Sequence, residues 1–531
     1  MKRAFVVAVD VGTGSARAGV FDAAGRQLAR AEHPIAMNRP AADHAEHDSE
    51  DIWAAVCDAV RVARAAAGVA PEDVAGIAFD ATCSLVVRSA SGGQVSVSTT
   101  GERRWDTIVW LDHRASAEAD MCTATGHRVI DHAGGAMSPE MATPKLAWLK
   151  RNLPESWREA GTIFDLTDFL SYRASGSTAR SQCTLTCKWA YLAHEDSPWP
   201  CDYLEAIGLE DLMERAGLPP RATPAGTKLG TLTPEAAAEL ELTAECRVGA
   251  GLIDAHAGAV GALAAYAGKP EELDRHVALV AGTSSCITSL ARRPIMQKGL
   301  WGPYFGAALP GLWLSEGGQS ATGALLDHVI RIHGGGLKPD REAHTAICRR
   351  VMALRESEGK DFAARLHVLP DFHGNRSPLG DPHALGVISG LTLDASFDGL
   401  CRLYWRTAVA IALGLRHILE AMNAAGHSID TLHVAGGHKH NPLLMELYAD
   451  ATGCALMEST ADDAVLLGTA MVAATAAGLH PSLGEGCLAM QQNGKQRSVK
   501  SKIRPAFERD YAVFLAMQKH RAEIDAIPRS K

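Results

Sequence analysis

The sequence predicts an α/β protein built from two similar halves, and three observations carry that expectation. At roughly 100 to 200 residues per domain, 531 residues imply at least two domains. Ala4 to Val9 and Val277 to Val280 are short unbroken apolar runs, the pattern of strands covered on both faces. Each run enters a turn of small residues and then a second apolar run: Asp10-Val11-Gly12-Thr13-Gly14-Ser15 before Ala16 to Asp22, and Ala281-Gly282-Thr283-Ser284-Ser285 before Cys286 to Leu290. A repeated opening of this kind marks a duplicated unit.

Taken in order, Ala23-Ala24-Gly25-Arg26 closes a hairpin after the second strand. Asp48 and Ser49 are N-cap candidates for a helix whose Ile52, Trp53, Val56 and Val60 share a face. A turn at Pro71 precedes the strand Val74 to Asp80. From 105 to about 243 the pattern loses regularity and gains Pro, Trp and Tyr, as insertions carrying substrate contacts would. Arg247 to Gly261 is glycine-rich, with Asp254 expected in a turn. The charged Gly268-Lys269-Pro270-Glu271-Glu272 marks a boundary between domains over 1–268 and 269–531. Beyond it, Leu400 to Asn423 reads as a long helix, its run Tyr404 to Leu419 packed in a core or between domains. Thr431 to Val434 reads as a strand ending in Ala435-Gly436-Gly437, and a helix starts at Pro442. The tail beyond Gln492 is basic and expected to be peripheral.

Composition excludes several classes. Hydrophobic residues at 47% and charged residues at 21% describe a folded chain, and a net charge of −9 argues against a protein whose main partner is a nucleic-acid backbone. Asp10 interrupts the first apolar run too early for a secretory leader, and Ala464 to Leu479 is shorter than the ~20 residues a bilayer needs. The 12 cysteines show no paired CxxC spacing, so reduced thiols and a cytoplasmic location are expected. Cys183 and Cys187 lack a matching second pair and are read as ordinary thiols. His438-Lys439-His440 is read as loop, and His44 and His47 as the solvated lead-in to a helix.

The first turn sets a carboxylate beside backbone and hydroxyl donors with little side-chain bulk, as a nucleotide phosphate and its magnesium require. Arg17 stands where a dinucleotide fingerprint wants its third glycine, and no Gly-x-x-x-x-Gly-Lys-[Ser/Thr] loop occurs, since Gly268-Lys269 runs into Pro270. The second turn at Gly282-Thr283 repeats this chemistry, and Gly436-Gly437 forms a third corner between strand and helix. Three corners in this order describe a two-lobed nucleotide cleft. Asp254 is the candidate general base, a lone acid among apolar and glycine residues whose burial would raise its proton affinity.

With these residues, the chain resembles the FGGY family of carbohydrate kinases over nearly its full length. The likeness rests on Asp10 to Ser15, Gly76 to Ser84, Val109 to Arg114, Pro144 to Asn152, Gly251 to His256, Ala281 to Ser284 and Ala435 to Gly437, with a partial second signature at Gly386 to Leu391. The resemblance implies an actin-like ATPase fold of two ribonuclease-H-like domains around a nucleotide and sugar cleft, with the sugar on the N-terminal side and the nucleotide on the C-terminal side. Within the family, Phe79 to Ser84, Cys187-Lys188-Trp189, Gly251 to His256 and Glu316 to Gln319 look most like ribulokinases. The implied activity is ATP-dependent phosphorylation of the C5 hydroxyl of a ketopentose, with D-ribulose as first acceptor. The alternatives are L-ribulose, xylulose or a pentitol, and an actin-like ATPase without a sugar.

By family position, Asp254 is the catalytic base, and Thr82, Cys83, Asp112, Lys188, Asp254, Glu316 and Gln319 are candidate sugar contacts. Thr13, Gly14, Ser15, Arg17, Gly282, Thr283, Gly323, Asp327, Gly436, Gly437 and Asn441 are candidate ATP contacts, and Asp10 with Asp254 would hold Mg2+. The expected partners are ATP and a small sugar, with neither nucleic acid nor membrane; a homodimer is the oligomer considered.

Overall fold

Two mixed sheets arise from the repeated pattern. A computed structural model describes residues 4–527 except 360–361, 460, 462, 493, 499–502 and 504. The first sheet contains β1 (Phe5–Val11), β2 (Ser15–Asp22), β3 (Gln27–Pro34), β4 (Val74–Ala81), β5 (Lys228–Thr231), β6 (Arg247–Gly249) and β7 (Leu252–Ile253). Its order is β3-β2-β1-β4-β6-β5, with β7 pairing on β4. An antiparallel meander β1-β2-β3 is thus joined to parallel β4, where Asp10 lies opposite Asp80.

The second sheet contains β8 (His276–Ala281), β9 (Ser285–Ala291), β10 (Trp301–Phe305), β11 (Trp313–Gln319), β12 (Thr431–Ala435), β13 (Ala455–Glu458) and β14 (Lys495–Ser498). Its order, β10-β11-β9-β8-β12-β13-β14, repeats the plan: β8, β9 and β11 form the meander, β12 runs parallel to β8, and β10 is an added edge strand. This is the ribonuclease-H-like, actin-type arrangement of two domains.

Helices cover the sheets. Asp48 caps α1 (Ser49–Ala67) by accepting from the N–H groups of Glu50 and Asp51, and Gly68 ends it at φ +64°. The helices that matter for the cleft are α2 (Gln182–Lys188), α3 (Asp254–Leu263), α4 (Gly323–His333), α5 (Phe397–Ala425) and α6 (Pro442–Thr452). Two more, α7 (Ala464–Ala476) and α8 (Pro505–Asp525), follow β13. The 29 residues of α5 are long and apolar enough to cross a bilayer, yet its apolar stretch is mostly buried in the second core. Although α7 lies between two strands of the second sheet, β13 and β14, in sequence, it packs into the core of the first together with α3. Their backbones touch: a Cβ on Gly468 would lie 2.0 Å from the Ala257 carbonyl oxygen, and one on Gly261 2.0 Å from that of Ala464.

Three sequence expectations need correction. Asp254 opens a helix rather than occupying a turn. His47 is a fully buried strand residue, because the segment Glu46–His47 pairs with Thr107–Ile108 instead of leading α1 through solvent. The C-terminal tail is integral: β14 edges the second sheet, while Phe507, Tyr511 and Phe514 recur at helical spacing on the buried face of α8. Two buried ion pairs, Arg406 with Asp510 and Arg521 with Asp371, fix that helix to the second domain.

Candidate active site

The carboxyl ends of the central strands of both sheets line one cleft of about 390 Å³, the position at which open α/β sheets bind ligands. The first turn is closed by a Gly12 N–H to Ser15 O bond at 3.0 Å, and the second, one residue tighter, by a Gly282 N–H to Ser284 O bond at 2.8 Å. Thr13, Gly14, Ser15 and Arg17 line the cleft from one side, and Gly282, Thr283, Gly436 and Gly437 from the other. A second pocket of about 480 Å³ shares Gly437 and is lined by Gly323, Asp327 and Asn441. Every candidate ATP contact therefore borders one or the other of two pockets that meet at Gly437.

The corners are locked to each other. At Gly436, with φ +84°, a Cβ would lie 2.5 Å from the Ala281 carbonyl oxygen, so only glycine lets the third corner sit against β8. His438, expected in a loop, is buried: Nε2 donates to Gly282 O at 2.9 Å and Nδ1 accepts from the Tyr448 hydroxyl at 2.7 Å. Burial depresses its pKa to about 4, consistent with a neutral ring in that role.

Three carboxylates stand beside this cleft: Asp10 and Asp80, both fully buried, and Asp254, which is half-buried. Burial lifts Asp10 to about 7, with the Arg17 guanidinium at 3.0 Å pulling the other way. Burial also raises Asp254, and it raises Asp80 well above the usual carboxylate range with Asp10 adding to the effect. Neither Asp10 oxygen accepts a well-aligned hydrogen bond among the described residues. Surplus negative charge on hard oxygen donors with spare lone pairs fits Mg2+, and Asp10 and Asp254, which both reach the cleft wall, are the residues that could hold it.

The candidate sugar contacts divide. Thr82, Cys83, Lys188 and Glu316 line the same cleft as Asp254. Lys188, at the end of α2, is buried with its Nζ 4.2 Å from the Trp301 ring centroid, so it is no solvated surface lysine. Asp112 and Gln319 lie elsewhere. Asp112 accepts from Ala45 N at 2.6 Å and pairs with fully buried Arg114 at 2.8 Å, because its side chain folds back onto its own turn. Gln319 Nε2 donates to Ile411 O at 3.1 Å and ties β11 to α5.

The cleft residues that went unassigned in the sequence include Glu32, Trp110, Glu140 and Arg376. Trp110 Nε1 donates to Thr13 Oγ1 at 2.9 Å, and Ser15 Oγ donates to Glu32 Oε1 at 2.7 Å, so both hydroxyls of the first turn are oriented from outside it. Arg376 stacks on Trp301 at 3.9 Å and pairs with Glu316. Burial opposes ionisation of Glu140, but His113 and Arg376 outweigh it and hold the carboxyl at about 2. Trp110 lies within the motif segment Val109 to Arg114 and Glu140 shortly before another, which could have flagged them, whereas Arg376 sits in a loop with no periodicity or motif.

Comparison with known proteins then decides the family. The model for the N-terminal domain of the FGGY family of carbohydrate kinases matches residues 5–261, and that for the C-terminal domain matches 277–477. The chain belongs to the FGGY family of carbohydrate kinases. It is accordingly a phosphotransferase, and FGGY kinases use ATP as co-substrate, generally with Mg2+. An FGGY carbohydrate kinase domain-containing protein of Homo sapiens is 42% identical over 544 residues, covering 98% of each chain. A D-ribulokinase of Saccharomyces cerevisiae is 37% identical over 516 residues, 89% of this chain and 72% of the yeast protein. A xylulose kinase structure from Rhodospirillum rubrum shares the fold, with TM-score 0.73, 21% identity and coverage of 98% and 99%.

Proposed function

We propose that this FGGY kinase transfers the γ-phosphoryl group of ATP to the C5 hydroxyl of a ketopentose, with D-ribulose as the preferred acceptor. One observation carries the reading: Asp254, Lys188 and Glu316 share a cleft with both hydroxyl-bearing turns. The identity to the yeast D-ribulokinase supports the acceptor. A cation and a carboxylate suit a polyol, whose hydroxyls both donate and accept.

In this reading the first turn and Thr283 position the terminal phosphates, while Gly323, Asp327, Gly437 and Asn441 border the adenosine. Asp254 orients the sugar hydroxyl and accepts its proton as the oxygen bonds to phosphorus and ADP departs. Burial raises the affinity of Asp254 for that proton. Mg2+ held by Asp10 and Asp254 would neutralise phosphate charge in the loose transition state. Most of the acceleration then comes from positioning and from exclusion of water.

The test is ADP release by purified protein with ATP and Mg2+ across pentuloses, pentitols, hexuloses and glycerol. D-ribulose should give the highest kcat/KM, and Asp254→Asn should lower kcat by about 10²- to 10⁴-fold with the fold retained. Sugar-independent hydrolysis would overturn the kinase reading, and a hexulose or glycerol optimum would overturn the acceptor.

A further inference from the structure

Cys183 and Cys187 are one helical turn apart on α2, and the sequence gives them no third partner. The fold supplies one from α3: His256 Nδ1 lies 3.2 Å from Cys183 Sγ and 3.8 Å from Cys187 Sγ. The three donor atoms all lie within 4.8 Å of one another, and all three residues are buried. With metal–sulfur and metal–nitrogen bonds of about 2.3 and 2.0 Å, a tetrahedral zinc centre separates S from N by about 3.5 Å, which the two observed separations bracket.

Two further contacts match a metal-binding imidazole and thiolate. His256 Nε2 lies 2.8 Å from Glu316 Oε2, so the nitrogen away from the thiols meets a carboxylate, the outer partner that fixes tautomer and raises ligand basicity. The Ile253 N–H donates to Cys183 Sγ at 3.4 Å, a bond that stabilises negative charge on sulfur. Two thiolates with one divalent cation sum to zero charge, which is what a buried cluster requires. Glu316 and Ile253, which bond His256 and Cys183, form part of the cleft wall, so the cluster lies directly behind it.

The geometry points to a zinc site formed by Cys183, Cys187 and His256, with Glu316 as the outer partner of the imidazole and one coordination position left for water. Binding at Nδ1 places the ring proton on Nε2, which then donates to Glu316, whose other oxygen pairs with Arg376 of the cleft wall. The assignment holds whichever sugar the enzyme phosphorylates. His256 is thereby a positioning residue between the metal and the cleft carboxylate. Binding would release the thiol protons to solvent and leave two thiolates on the cation, with no change of oxidation state.

The test uses the full-length protein, stripped by chelator under reducing conditions and titrated with Zn2+ and, as a spectroscopic probe, Co2+. Stoichiometric Zn2+ uptake, proton release and a cobalt spectrum with thiolate charge-transfer and tetrahedral bands are expected. Uptake should be lost in Cys183→Ala and in Cys187→Ala but kept in Cys57→Ala, and Glu316→Gln should weaken zinc binding by about 10- to 100-fold. Should the first two variants fail to fold, anomalous scattering at the zinc edge from crystals of the unmodified protein locates the ion. Absence of stoichiometric uptake by folded protein, uptake unchanged in the variants, or an anomalous peak elsewhere would overturn the site, and zinc affinity unchanged in Glu316→Gln would overturn the link to the cleft.

Discussion

Lys188 shows how much a single side chain depends on its surroundings. In the sequence it reads as a sugar contact, with a solvated surface lysine beside packing Trp189 and Tyr191 as the alternative. In the fold it is buried over Trp301 and borders the cleft. Lys188→Met keeps the apolar stem on the ring and removes only the charged donor. Loss of one charge-assisted bond to the sugar should raise the sugar KM on the order of tenfold to a hundredfold while the ATP KM stays close to that of the parent. Steady-state kinetics with each substrate varied in turn measures this, and equal rises in both KM values would contradict it. His433 gives a second prediction. Burial, with His276 at 2.9 Å, depresses its pKa to about 3 from an ordinary 6.5. The unfolded chain therefore takes up this proton first as pH falls. The stabilisation from the neutral buried ring is complete above about 6.5 and lost on acidification toward 3, at up to about 1.4 kcal/mol per pH unit. In urea unfolding, the stability difference between the parent and His433→Gln should hold steady above pH 7 and shrink below 6; a pH-independent difference would refute the shift.

At the scale of elements, periodicity settled some assignments and partner choice settled others. The strand–turn–strand units at 5–22 and 276–291 and the helices α1 and α5 are legible because their apolar spacing and caps are local properties. A short basic run hid the buried stripe of α8, whose apolar residues stand three or four apart only after the run ends. Deleting one aromatic from that stripe tests its weight. Phe514→Ala should lower the unfolding free energy by about 3 to 5 kcal/mol, read by urea denaturation, since the side chain is almost fully buried against the second core. A change below about 1 kcal/mol would return the tail to the periphery. The crossing of α3 and α7 belongs to the same scale: nothing in either helix sequence announces that Gly261 and Gly468 are needed because each faces the other's backbone.

Across the whole molecule, the cleft is built by both sheets together, so substrate binding and relative domain position are coupled. On the proposed reading, γ-phosphate contacts divided between the first and second turns are complete only when the two halves close on ligand. Sugar together with a non-hydrolysable ATP analogue should therefore lower the radius of gyration in solution scattering more than either alone, and should raise Tm by more than the sum of the separate shifts. Additive effects would mean that the halves do not move together. The carboxylates of Asp10, Asp80 and Asp254, each raised in pKa by burial, crowd like charge beside the cleft that a phosphate-bound cation would offset.

The linear sequence determined the two strand–turn–strand units, the small-residue corners and the lone acid among apolar and glycine residues, since these depend on backbone preference and near-neighbour spacing. Only the tertiary structure decided which distant side chains meet. It brought Arg376 onto Glu316 and Trp301, turned Asp112 away onto Arg114, and set His256 between two thiols and a carboxylate. Such meetings follow from how sheets and helices pack, and a pattern read along the chain holds no term for contacts between residues far apart in it.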